Sequence, residues 1–177
     1  MNKKVKWITE TGVMIALLVI LQAVTKPFGQ IVTGSCVNFI LASSTLACGL
    51  SSGLTVALLS PFFAFLLGIG PAFLPIVPGV SVGNAVLVLV LWLLLGKTGP
   101  KTGSPKKISA VIAAAVCKFL VLLGLIVKVI LPMLGLNEKQ AAVLSASFSW
   151  PQLVTALIGA SLAVILWPRL SKAISGK

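Results

Sequence analysis

The stretch from Ala113 to Pro132 reads AAAVCKFLVLLGLIVKVILP, long enough and apolar enough to cross a bilayer. Runs of this kind recur along the chain and limit what it can fold into. Hydrocarbon offers no water to backbone N–H and C=O groups, so each run must close its hydrogen bonds internally, as a helix. Composition agrees. Of 177 residues, 58% are hydrophobic and only 9% are charged, against about 25% charged in a soluble domain. Mean hydropathy is +1.15. The chain reads as an all-α integral membrane protein, a single domain over residues 1–177 with no soluble part.

Six spans emerge, at about Trp7–Thr25, Val32–Cys48, Gly53–Leu67, Ile76–Leu95, Lys107–Leu134 and Lys139–Leu170. The second and third are short and rich in Ser and Gly. Turn chemistry separates them: TKPFGQ, GLSSG, GIGPAFLPIVPG, GKTGPKTGSPKK and PMLGLNEKQ. The first run lacks a small-residue cleavage site followed by a soluble domain, so it is expected to remain as a helix. No internal repeat supports an inverted-repeat carrier.

Charge sets the expected orientation. The net charge is +12, with 14 basic and two acidic residues. Lys3, Lys4 and Lys6 lie at the start; Lys97, Lys101, Lys106 and Lys107 share one loop; Arg169, Lys172 and Lys177 lie near the end. With six crossings these ten residues fall on one side, which places both termini in the cytoplasm. Clusters that flank apolar runs also argue against nucleic acid as a partner.

Absences narrow the chemistry. There is no histidine and no tyrosine, and the only carboxylates are Glu10 and Glu138. That argues against paired-carboxylate catalysis, a metal site or an intramembrane proton relay. No phosphate-binding GxxxxGK[ST] loop is present. Cys36, Cys48 and Cys117 sit in apolar runs, without CxxC spacing, and read as free thiols. The chain is expected to be no enzyme, to need no cofactor, and to draw any uphill energy from a partner.

The polar residues at depth then stand out. Lys118 lies 13 residues before Leu131, or roughly 20 Å along a helix. A lysine at a helix centre costs about 2.5–3.5 kcal/mol even on the mildest scale. Its ammonium needs an anion or hydrogen-bond acceptors to remain charged there. Asn38, Asn84, Trp150 and Gln152 fall at related depths in other spans, and Gln22 lies near the outer end of the first. Pro151 frees a carbonyl for a ligand or a neighbour. Together Asn38, Asn84, Lys118, Lys128, Trp150 and Gln152 would form a pocket for a compact, anionic or amide-bearing organic solute. Each has a plainer reading: the asparagines as interhelical glue, Lys128 as an interface anchor, Trp150 as packing. The uncharged loop GIGPAFLPIVPG reads as a lid or as a segment resting on headgroups. In the first span, Gly12 and Ala16 form a small-xxx-small pair that lets another helix approach.

Six spans, this length, both ends inside and the segment ETGVMIALLVILQAV together resemble the substrate-binding S component of energy-coupling factor (ECF) transporters. The resemblance implies that Gly12 and Ala16 pack against the transmembrane T component. The family motif usually carries two alanines, so Gly12 is a mild departure. It also implies a solute site in the outer half, lined by helices four to six and covered by the loops after helices one and three. It implies two cytosolic ATPases as further partners, a bacterial cytoplasmic membrane location, and capture of a vitamin or vitamin precursor outside for release inside. Metal-binding members rely on histidines, so an organic solute is expected here. The Gly- and Arg-rich pattern of the biotin subgroup is missing. Two other readings stay open: a stand-alone facilitator or secondary carrier, and a non-transport accessory subunit of a membrane complex.

Overall fold

The structure is a computed structural model that describes residues 2–96 and 102–175, with side chains to residue 169. Lys97, Lys101 and Lys177 lie outside the described residues, as does the side chain of Lys172.

Every regular element among the described residues is helical. Helix α1 (Lys3–Thr25) starts where Asn2 Oδ1 accepts from the backbone N–H of Lys4 at 3.0 Å. A 3₁₀ turn, Lys26–Phe28, leads into α2 (Gln30–Cys48). α3 (Leu50–Leu66) follows after one residue. α4 (Ile76–Leu91) runs on into a π turn, Trp92–Gly96. α5 (Ser104–Leu122) continues as a π-helical stretch, Leu123–Ile130, and a last turn, Leu131–Met133. α6 (Glu138–Ser147) and α7 (Trp150–Ser175) complete the chain.

Five helical units are long and apolar enough to cross a membrane, by length and composition: Lys3–Phe28, Gln30–Cys48, Ile76–Gly96, Ser104–Met133 and Glu138–Arg169. α3, with 17 residues, is a shorter apolar helix.

Two joints differ from expectation. GLSSG was expected to be a loop, but Gly49 alone makes the turn, at φ 94 and ψ 172. Only glycine enters that region without strain, so Ser51, Ser52 and Gly53 are free to join α3. The sixth run is two helices rather than one, broken at Phe148 and Ser149. Pro151 has no N–H and disfavours helix before it, so it sits well in the first turn of a new helix and poorly inside an old one.

α2 is the central strut, packed against α1, α3, α4 and α7. Its closest partner is α7, and glycine makes that approach feasible. A Cβ on Gly159 would come within 2.6 Å of Phe39 N, and one on Gly34 within 2.8 Å of the Thr155 methyl. Trp167 Nε1 donates to Leu46 O at 2.8 Å and pins the other end of the pair. The core around this pair, shared with α3 and α4, is rich in Leu, Val and Ala: Leu41, Ala42, Val56, Leu87, Leu91 and Ala160 are fully buried. Outward faces are apolar too, with Leu17, Ile20, Phe63, Leu120 and Ile165 exposed. A molecule apolar inside and out suits a hydrocarbon solvent.

Candidate functional site

At the end of the bundle away from the start of α1, the helices part around a cavity of about 370 Å³. The end of α1, the first half of α2, the 67–75 loop, the first part of α4, late α5 and the α6–α7 break all contribute to it.

Lys118 is the one charged-type side chain buried there among the described residues. It is only 2% exposed, yet it borders the cavity. Its Nζ donates to Asn38 Oδ1 at 2.6 Å and to Asn84 Oδ1 at 2.7 Å. Both asparagines are buried. Asn38 is fixed in turn, its Nδ2 donating to Gly34 O at 2.9 Å and to Thr155 Oγ1 at 3.3 Å. An ammonium has three N–H donors, so two are committed to the carboxamides. Those acceptors are dipoles, so a positive charge on Lys118 would find no counter-charge in them. No carboxylate among the described residues reaches Lys118; Glu10 pairs with Lys6 at 3.6 Å, and Glu138 opens α6.

Two sets of hydrogen bonds draw other segments over the cavity. Lys26 Nζ donates to Gly68 O at 2.7 Å and Gln22 Nε2 to Ile69 O at 3.4 Å, tying the end of α1 to the loop after α3. Gly70, Pro71 and Ala72 of that loop line the cavity. Gln30 Nε2 and Gln152 Nε2 both donate to Ser147 O, at 2.5 and 3.1 Å. Ser147 lies four residues before Pro151, so this is the carbonyl the missing proline N–H leaves open. Neighbouring side chains claim it.

Of the residues expected to form the pocket, Asn38, Asn84, Lys118 and Gln152 border this one cavity. Lys128 and Trp150 do not: Lys128 is exposed on the π-helical stretch, and Trp150 is 63% exposed at the start of α7. Gly12 and Ala16 are exposed on α1, and a Cβ added to Gly12 would meet nothing within 4 Å.

Sequence reasoning found Asn38 on α2 but missed the rest of that face. Gln30, Thr33, Gly34 and Val37 line the cavity with it. Their spacing of i, i+3, i+4, i+7 and i+8 is one stripe of a helix, so the signal was present in the polar residues of QIVTGSCVN. Phe148, at the α6–α7 break, supplies an aromatic group instead of Trp150. Among the described residues no three of His, Cys, Asp or Glu come together as metal ligands.

No curated protein and no solved structure matches the chain. The family model described as "ECF transporter, substrate-specific component" matches residues 6–171. With that match over most of its length, the chain belongs to the substrate-specific components of ECF transporters, the membrane subunits that bind the solute.

Proposed function

We propose that this subunit captures a small organic micronutrient bearing a negative charge, in the cavity floored by Lys118. The proposed solute-contacting residues are Asn38, Asn84, Lys118 and Gln152, with Gln30 and Thr33 added from the α2 stripe; Lys128 and Trp150 are left out. In this reading the chain crosses a bacterial cytoplasmic membrane six times, with both termini inside. The cavity then opens outward. Gly12 and Ala16 present a smooth strip of α1 to the T component, and two cytosolic ATPases supply the energy for release inside.

The observation that carries the reading is the buried Lys118 Nζ, held at the cavity by two neutral oxygens with no carboxylate in reach among the described residues. A buried cation without a counter-ion is costly. An anionic guest offers its third N–H an acceptor and supplies the missing charge. A cavity of about 370 Å³ lies within the range of small-ligand sites.

The test is binding by the purified chain. Native mass spectrometry of gently extracted protein identifies any retained solute, and calorimetry measures its affinity. Lys118→Ala is expected to weaken an anionic solute by about tenfold or more, since a hydrogen bond to a charged group contributes about 1.5–3 kcal/mol. Unchanged affinity in that variant rejects the site.

A further inference from the structure

The two carboxamides that hold Lys118 are not equivalent. Asn38 commits its whole amide: Oδ1 accepts from Lys118, and Nδ2 donates to Gly34 O and Thr155 Oγ1. Asn84 Oδ1 accepts from Lys118 too, but nothing among the described residues accepts from its Nδ2. Turned the other way, the amide would set its NH2 against an N–H of the lysine. Asn84 is 1% exposed and lines the cavity. Two sealed side-chain atoms among the described residues lack a partner, Ser43 Oγ and Ser60 Oγ. Asn84 Nδ2 is not sealed in this way, so its open side faces the cavity.

The floor of the cavity therefore offers two neighbouring donors, the third N–H of the Lys118 ammonium and the NH2 of Asn84. Nζ lies 2.7 Å from Asn84 Oδ1, and bond lengths put Nδ2 about 2.2 Å from that same oxygen, so the donors are within about 5 Å of each other. The two oxygens of one carboxylate span such a gap, with a hydrogen bond on each side. The other walls include Val37, Val80, Leu144 and Phe148, which suit an apolar body. Resting on the anionic-solute reading above, we propose that the charged group of the solute is a carboxylate, one oxygen on Lys118 Nζ and the other on Asn84 Nδ2. A primary amide of the same shape does not fit, because its own NH2 would meet one of the two donors. A phosphate monoester carries close to two negative charges. The single ammonium at the floor would leave the surplus buried and unanswered.

The ligand-free full chain, in one mild detergent at neutral pH, is titrated by calorimetry with benzoate, benzamide and phenyl phosphate, which share a ring and differ in the head group. Benzoate is expected to bind about tenfold or more tighter than either. Asn84→Asp keeps an oxygen for Lys118 and replaces the NH2 donor with an acceptor. The floor then presents one donor and one acceptor, and benzamide becomes the tighter ligand. Should that variant fail to fold, the Asn84 side-chain amide signals in the NMR spectrum of the parent decide. They shift when benzoate is added, and their staying in place overturns the proposal. Benzamide or phenyl phosphate bound as tightly as benzoate by the parent overturns it, as does benzoate that fails to bind at millimolar concentration. A preference for benzoate that survives Asn84→Asp overturns the role of Asn84. The anionic-solute reading fails separately, through unchanged affinity of the retained solute in Lys118→Ala.

Discussion

The arrangement around Lys118 makes a quantitative claim that a double-mutant cycle can test without knowing the solute. Asn84→Ala leaves the ammonium with one carboxamide acceptor instead of two. A hydrogen bond to a charged group contributes about 1.5–3 kcal/mol, and in a buried setting none of that is recovered from water. A loss of 2 kcal/mol in a chain of this size lowers Tm by about 4–8 °C. Lys118→Met removes the charge at similar length. In that background Asn84 no longer has an ammonium to hold, so Asn84→Ala should be nearly neutral. The expected coupling is therefore about 1.5–3 kcal/mol. The assay is thermal unfolding of the ligand-free chain in one fixed detergent, followed by the fluorescence of its four tryptophans. Additivity of the two changes within about 0.5 kcal/mol would show that the asparagines do not carry the lysine, and the reasoning about the site would fail with it.

Gly159→Ala is expected to cost about 1–3 kcal/mol, read as a lower Tm, because its new methyl group meets backbone atoms of Ser35 and Phe39 that cannot yield; Gly124→Ala, with open space around it, is the matched control. Gln30→Ala leaves the Ser147 carbonyl to Gln152 alone. Removing about 1 kcal/mol from that clasp should raise amide exchange in α6 roughly fivefold, with α2 unaffected. Trp150→Ala and Lys128→Ala, both exposed away from the cavity, should leave solute affinity within about twofold of the parent, measured by calorimetry; a tenfold loss in either would restore them to the site.

Hydropathy made the helical spans legible, because a run of apolar residues near bilayer length has few other uses. That Lys118, which is buried, would have to be accommodated inside an apolar span was legible for the same reason. So was the company of Asn38 and Asn84, since only acceptors at matching depth could serve it. Rotation about each helix axis was harder to read. Ten residues at 3.6 per turn would set Lys118 and Lys128 about 80° apart, but the Leu123–Ile130 stretch is a π-helix with a wider turn, and Lys128 ends up exposed. An unbroken Lys139–Leu170 span would put Trp150 mid-helix, whereas the break at Phe148 and Ser149 makes it the first residue of α7, where it is exposed. Pro151 signalled that break; what it could not reveal was that Gln30, some 120 residues away, would supply one of the two amides that close it. The tight α2–α7 contact is likewise invisible locally, since Gly34 and Gly159 differ from other glycines only by what lies opposite.

The neutral oxygens around Lys118 carry an electrical consequence. Moving one elementary charge across a membrane involves about 2.3 kcal/mol per 100 mV, and an interior-negative cell opposes every anion that enters. On the proposed reading, a monoanion seated against a charged Lys118 forms a pair with zero net charge, so the voltage acts on the empty, positive site as it resets and not on the loaded one. Had an aspartate replaced either asparagine, the empty site would be neutral and the loaded one negative, and the same electrical work would fall on the loaded step.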